Sequence, residues 1–325
     1  MPRTDTDLHV PPIDPELQAA LDAAGISTVA VGITADTIVD ERAAVDALTP
    51  SYDEIAADPR FTVDERTVPG PPDNPRLTVL VARPADARSG TPVLVTQHGG
   101  GLITGTSRFG LPDTLDLAAD LGAAVVSAEY RLAPEHPHPA AHDDAWAALV
   151  WTAANASAIG ARADALILHG GSAGGNLAAG LALRARDTGA VDVRGLLLLY
   201  PMLDDRTATV SAHRMQGRGV WDATSNRTAW AAVLAGRAPT PYAAPARAED
   251  LSGLPPVYLE VGSAETFRDE TVDWAQRLWA DGGDAELHVW PGAVHGFELF
   301  APGSVLARRA RTARREWAQR VLGPA

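Results

Sequence analysis

The first 60 residues hold two short amphipathic stretches, ELQAALDAAG and SYDEIAADP, which predict helical pieces in otherwise irregular chain. Two stretches of alternating apolar and polar residues follow at 61–68 and 76–82. The turn-forming PGPPDNP between them predicts a hairpin, and so an antiparallel start to a sheet. Beyond it the alternation gives way to short apolar runs at 91–97, 123–130, 165–169, 195–200, 256–261 and 286–290. Several of these are apolar on both faces, as strands buried in a parallel sheet must be. The segments 140–155, 176–187, 269–280 and 305–321 read as helices. Strand–helix alternation of this kind predicts an α/β fold with a mostly parallel central sheet and helices on both faces.

Residues 203–250 break the rhythm. They are too long for a plain connection, and they carry helical material with Met215, Trp221 and Trp230. They read as an insertion that, with the N-terminal segment, caps one edge of the sheet. The expected division is a cap segment at 1–60, a sheet domain built from 61–202 and 251–325, and a cap insertion at 203–250. Apolar residues in such an excursion suit a lid over the strand ends, which makes Met215 and Trp221 candidate substrate contacts.

Composition narrows the function. With 46% hydrophobic and 21% charged residues over 325 positions, the chain buries a core without disulfides or metals. The 27 Lys and Arg against 41 Asp and Glu leave a net charge of −14. That field repels phosphate backbones and anionic lipid, so neither nucleic acid nor membrane is an expected partner. Cysteine is absent, which excludes thiolate nucleophiles, iron–sulfur clusters and thiolate zinc sites. The N-terminus lacks the apolar centre of a secretory signal, and no apolar run approaches ~18 residues, so the expected location is the cytoplasm.

The sharpest chemical signal is Gly170-Gly171-Ser172-Ala173-Gly174-Gly175, between the apolar run ALILH and the helical NLAAGLALRARD. A G-x-S-x-G at a strand-to-helix turn is a nucleophile elbow, a turn so tight that its neighbours must be glycine. The helix N-terminus behind Ser172 favours developing negative charge. His98-Gly99-Gly100-Gly101 directly follows the run TPVLVTQ. Consecutive glycines at a strand end let backbone N–H groups point at an oxyanion, and the Ala173 N–H adds a further donor. His98 itself reads as structural, orienting this loop. The other histidines outside the site also read as structural, His169 and His288 within strands among them.

A base and an acid lie further along. His295 follows the run ELHVW, and four carboxylates cluster near the end of PVYLEV: Glu260, Glu265, Asp269 and Glu270. Glu260 is within the strand, and Asp269 and Glu270 fit the first turn of the next helix, where they complement its dipole. Glu265 alone belongs to the loop, within reach of His295. The chain order Ser172, Glu265, His295 is that of α/β-hydrolases, and all three lie at carboxyl ends of predicted strands, where open α/β sheets place their sites.

On these residues the chain resembles the hormone-sensitive-lipase-like branch of the α/β-hydrolases, the bacterial family IV carboxylesterases. The resemblance spans about residues 90–300. It is carried by His98-Gly99-Gly100-Gly101, by Tyr130-Arg131-Leu132-Ala133-Pro134-Glu135-His136-Pro137 with Asp143-Asp144, by the Ser172 elbow, by Arg268-Asp269-Glu270 and by His295-Gly296-Phe297. It implies an α/β-hydrolase fold with a helical cap, no cofactor, no metal, and short- to medium-chain acyl esters as substrates. It implies Gly100 and Gly101 as oxyanion donors alongside Ala173. Relatives often dimerise, so a homodimer is a candidate assembly, although the sequence carries no edge signal for one. Three departures stand out. Gly171 replaces the usual Asp or Thr before the nucleophile, Glu265 replaces the commoner Asp, and Leu102 replaces the aromatic that usually follows HGGG and so becomes a candidate substrate contact.

The expected function is serine carboxylesterase. A lactone hydrolase using the same triad is the alternative, since lactone opening needs only that the leaving alcohol stay tethered to the acyl group. A non-catalytic binding protein is the third reading, and an intact triad discriminates against it.

Overall fold

The structure is a computed structural model and describes residues 10–29, 32–86 and 89–323. Positions 1–9 and 30–31 of the expected cap segment lie outside the described residues. The strands are β1 (Phe61–Pro69), β2 (Arg76–Pro84), β3 (Thr91–Gln97), β4 (Ala124–Ala128), β5 (Ala161–Gly171), β6 (Gly195–Leu199), β7 (Val257–Gly262) and β8 (Ala285–Trp290). They form one sheet in the order β1-β2-β4-β3-β5-β6-β7-β8. β1 and β2 are the expected antiparallel hairpin, β2 is antiparallel to β4, and every later pairing is parallel.

Helices α1 (Pro15–Ala23), α2 (Ile38–Leu48) and α3 (Tyr52–Ala56) precede the sheet. α4 (Leu111–Leu121) lies between β3 and β4, in a stretch the sequence pattern left unassigned, and α5 (Ala140–Asn155) and α6 (Ala173–Thr188) flank β5. The long segment between β6 and β7 holds α7 (Val210–Arg214) and α8 (Ala223–Leu234). α9 (Arg268–Ala280), the short α10 (Phe297–Phe300) and α11 (Val305–Leu322) complete the chain. β4 is shorter than its apolar run at both ends, and α6 begins three residues before the predicted helix, because the turn at Ser172 feeds directly into it.

The apolar-on-both-faces strands are explained by two cores. On one face Val93, Val126, Leu168 and Leu198 pack with Leu149 of α5, Leu177 of α6 and Trp274 of α9. On the other Leu94, Val125, Ile167 and Leu197 pack with Leu115 of α4 and Trp317 of α11. Each fully buried side chain of this size contributes about 1.5–3 kcal/mol relative to exposure.

The N-terminal segment and the insertion are tied to the strand ends by directional bonds. Arg42 on α2 donates to the Ile103 carbonyl at 2.7 Å and the Ala133 carbonyl at 2.8 Å, and pairs with Glu135 at 2.7 Å. The Tyr130–Pro137 motif is thus a bracket: its Arg131 also pairs with fully buried Asp144 on α5 at 2.8 Å. Ile33 N–H donates to Ser225 Oγ on α8 at 2.9 Å, which joins segment to insertion. No helix of the described residues is long and apolar enough to cross a membrane.

Candidate active site

Ser172 sits on the turn between β5 and α6 with φ +57° and ψ −120°, a conformation disfavoured for a residue bearing a Cβ. The chain can turn this tightly because its neighbours are glycines. A Cβ on Gly174 would lie 1.9 Å from the Gln97 carbonyl oxygen, and one on Gly170 would lie 2.3 Å from the Gly174 carbonyl. At Gly171 the space is taken by Tyr200, whose Cε2 would stand 3.2 Å from an added Cβ.

His295, in the loop between β8 and α10, brings Nε2 to 2.9 Å from Ser172 Oγ. Its Nδ1 lies 2.5 Å from Glu265 Oε2. The other oxygen of Glu265 accepts the Gly262 N–H at 2.9 Å, which fixes the carboxylate plane. The imidazole is also gripped edge-on by two rings, Tyr200 at 4.7 Å and Phe267 at 5.1 Å between centroids. Neither ring carried a sequence signal, since each looks like an ordinary apolar residue beside a strand end. The remaining carboxylates have other partners. Glu260 pairs with Arg314, Asp269 accepts the Ser211 N–H at 2.7 Å, and Glu270 accepts the Leu203 N–H at 2.7 Å.

The glycine loop after β3 folds over this pair. Gly100 has φ +108°, and a Cβ there would lie 2.3 Å from the Thr104 carbonyl oxygen. Gly101 has φ +63°, and a Cβ there would lie 2.5 Å from the Trp221 ring. Among the described residues the N–H groups of Gly100, Gly101 and Ala173 have no protein acceptor. His98 braces the loop: its Nδ1 is 2.7 Å from the Gly99 carbonyl and its ring stacks on Tyr130 at 4.0 Å.

A cavity of about 640 Å³ contains Ser172, His295, Gly100 and Trp221 in its wall, a size usual for small-molecule sites. Leu102 and Met215 do not line it. Leu102 is 1% exposed and packs in the core, with its carbonyl accepting the Ala133 N–H, and Met215 is 2% exposed. Trp230 is likewise core. Trp221→Ala is therefore expected to change relative rates across a series of acyl lengths. Trp230→Ala should instead cost about 3–5 kcal/mol of stability with the rate ratios kept. Parallel chain-length assays and urea melts of the two variants check this.

A family model described as the α/β hydrolase fold matches residues 94–299. The chain belongs to the α/β-hydrolase family. The hydrolase is similar to the carboxylesterase NlhH of Mycobacterium tuberculosis, at 34% identity over 304 residues and 92% of each chain. A stretch of 129 residues is 35% identical to hormone-sensitive lipase of Bos taurus, covering 40% of this chain and 17% of that one. Among solved structures it resembles the esterase LipW from Mycobacterium marinum, at 33% identity and a TM-score of 0.86, covering 97% of this chain and 99% of that one. The hydrolase thus falls in the hormone-sensitive-lipase-like branch that its motifs indicate.

Burial acts on three histidines of this hydrolase other than His295. It lowers His98 and His169 to about 4 and His142 to about 3. In an unfolded chain histidine titrates near ~6.5. The folded values are lower, so the stability these groups contribute is full above that point and is lost as pH falls from it toward the folded values. Buried Glu270, whose carboxyl burial raises, acts in the opposite sense. In an NMR titration all three imidazoles should keep neutral shifts down to pH ~5. A midpoint near the unfolded value for any of them would contradict their burial.

Proposed function

We propose that this hydrolase is a serine carboxylesterase working through an acyl-enzyme. The observation that carries the reading is the unbroken line of hydrogen bonds from Ser172 Oγ to His295 Nε2 at 2.9 Å and from His295 Nδ1 to Glu265 Oε2 at 2.5 Å. Beside it stand the N–H groups of Gly100, Gly101 and Ala173, without protein acceptors among the described residues.

Ser172 Oγ attacks the ester carbon while its proton passes to His295 Nε2. The carbonyl oxygen becomes an oxyanion held by the N–H groups of Gly100, Gly101 and Ala173, donors already in place before charge develops. Glu265 keeps the Nδ1–H of His295 pointed at itself and stabilises the imidazolium. The C–O bond to the alcohol then breaks, and His295 protonates the leaving oxygen. Water gives a proton to His295 and attacks the acyl-enzyme, and Ser172 recovers its proton as the carboxylic acid leaves. His295 relays every proton in this cycle, taking one from Ser172 and one from water and returning one to the alcohol and one to Ser172.

The cap reading belongs to the same proposal. Ile26, Val45 and Leu48 from the N-terminal segment and Trp221 from the insertion contribute to the cavity wall. A mainly apolar wall of this size supports small esters with short- to medium-chain acyl groups. A fluorophosphonate probe tests the reading. It should add one adduct, on Ser172, and block hydrolysis of aryl esters. A folded protein that takes up no label, or is labelled elsewhere, would overturn it, and a binding-only role predicts that result.

A further inference from the structure

On the face of the sheet that meets α4 and α11, three neighbouring strands change character at the same level. Leu94 of β3 stands opposite Val125 of β4 and Ile167 of β5, an apolar row buried in the core. Two residues further on, Thr96 stands opposite Ser127 and His169. This second row is wholly polar, is at most 6% exposed and lines the cavity that holds Ser172.

Burying three polar side chains at the carboxyl ends of central strands is costly unless each finds partners. The protein supplies only some. His169 Nδ1 is 2.8 Å from Thr96 Oγ1, and Ser127 Oγ donates to the Ser107 carbonyl at 2.7 Å. Among the described residues His169 Nε2 has no protein partner, and neither has Thr114 Oγ1 on α4, another buried wall residue. Ser127 Oγ keeps lone pairs free to accept. The nearby charges pair with one another: Asp113 with Arg311 and Arg314, and Glu298 with Arg314. Asp113, Glu298 and Arg311 share the cavity wall with the row, but the row itself is an uncharged set of hydrogen-bonding groups.

We propose that this row is a subsite for a hydroxyl group on the acyl part of the substrate, so that the enzyme prefers short hydroxyacyl esters to plain alkanoyl ones. The inference rests on the esterase reading above, which puts the acyl carbon between Ser172 at the end of β5 and the glycine loop at the end of β3. Thr96 and His169 stand one level below those two ends. The acyl group is also the part that stays bound while alcohol leaves and water enters, so the wall beside the nucleophile is its wall. A hydroxyl both donates and accepts, and so it satisfies His169 Nε2 in either tautomer. An ammonium or a carboxylate satisfies only one. Burial holds His169 down at about 4, which keeps the ring neutral where esterases work.

The test compares kcat/KM for ethyl 2-hydroxybutyrate and ethyl 3-hydroxybutyrate with that for ethyl butyrate, followed by pH-stat. At least one hydroxy ester is expected to be preferred about tenfold or more, because a site built for a hydroxyl leaves polar groups unpaired around an alkyl chain. In the double variant Thr96→Val with His169→Phe, which removes both members of the pair and keeps their bulk, the ratio should fall to near one. Ser127→Ala should lower it in part, and serves if the double variant does not fold. Turnover of butyrate with no preference for either hydroxy ester, or a preference that survives both variants, overturns the subsite and leaves the esterase reading standing. No turnover of any of the three esters by the folded wild-type enzyme overturns the esterase reading and this inference with it.

Discussion

Ser172→Ala is expected to lose ester hydrolysis by a factor on the order of 10⁶ in kcat, the scale seen when the nucleophile of a triad is removed. The fold should survive. Ser172 donates its N–H to the Leu199 carbonyl at 2.9 Å, its carbonyl accepts the N–H groups of Met202 and Asn176, each at 3.1 Å, and alanine keeps all three. Serine and alanine bear the strained φ of +57° equally, since each has a Cβ. The lost hydroxyl bonds only His295, on the cavity side. Circular dichroism and a melting curve close to wild type, with no turnover of an acetyl or butyryl aryl ester, is the expected pair of results. Substantial turnover by a folded, contaminant-free variant would remove Ser172 from the chemistry.

Glu265→Gln is expected to lower kcat by up to ~10⁴ with the fold intact. Glu265 is 1% exposed, and its two oxygens are both in use, one on His295 Nδ1 and one on the Gly262 N–H. An amide has one oxygen. If that oxygen stays on Gly262, the NH₂ faces Nδ1 and forces the imidazole into the tautomer whose Nε2 carries the hydrogen. His295 then cannot take the Ser172 proton. Asp269→Asn is the control. Asp269 accepts the Ser211 N–H and pairs with Arg268, so it ties the start of α7 to α9 and does not reach His295. That change should cost about 1 kcal/mol in a denaturant melt and leave kcat near wild type. Activity lost in Asp269→Asn and kept in Glu265→Gln would reassign the acid.

The carboxylate question marks where sequence reading stops. Glu260, Glu265, Asp269 and Glu270 lie within eleven positions, and loop position alone favours Glu265. The structure gives each a partner of its own: Arg314 for Glu260, backbone N–H groups for Asp269 and Glu270, and His295 for Glu265. The same limit explains Leu102 and Met215. Their neighbourhood along the chain suggested the pocket, but the side chains turn into the core, and nothing within a few residues of either encodes that direction.

The hairpin, the apolar runs of the central strands, the glycine loop and the elbow were legible because each depends on backbone sterics and periodicity within about ten residues. Which side chain needs glycine beside it, where a strand is buried on both faces, and where a strand turns straight into a helix are local consequences of the chain. The insertion of β4 between β2 and β3, the aromatic grip of Tyr200 and Phe267 on His295, the bond from Arg42 to the loop after β3 and the polar row Ser127–Thr96–His169 were not legible. Each joins residues about 30 to more than 90 positions apart, and their meeting is decided by strand order, register and helix packing. These are collective outcomes of burying the whole core, and no short stretch of sequence carries them.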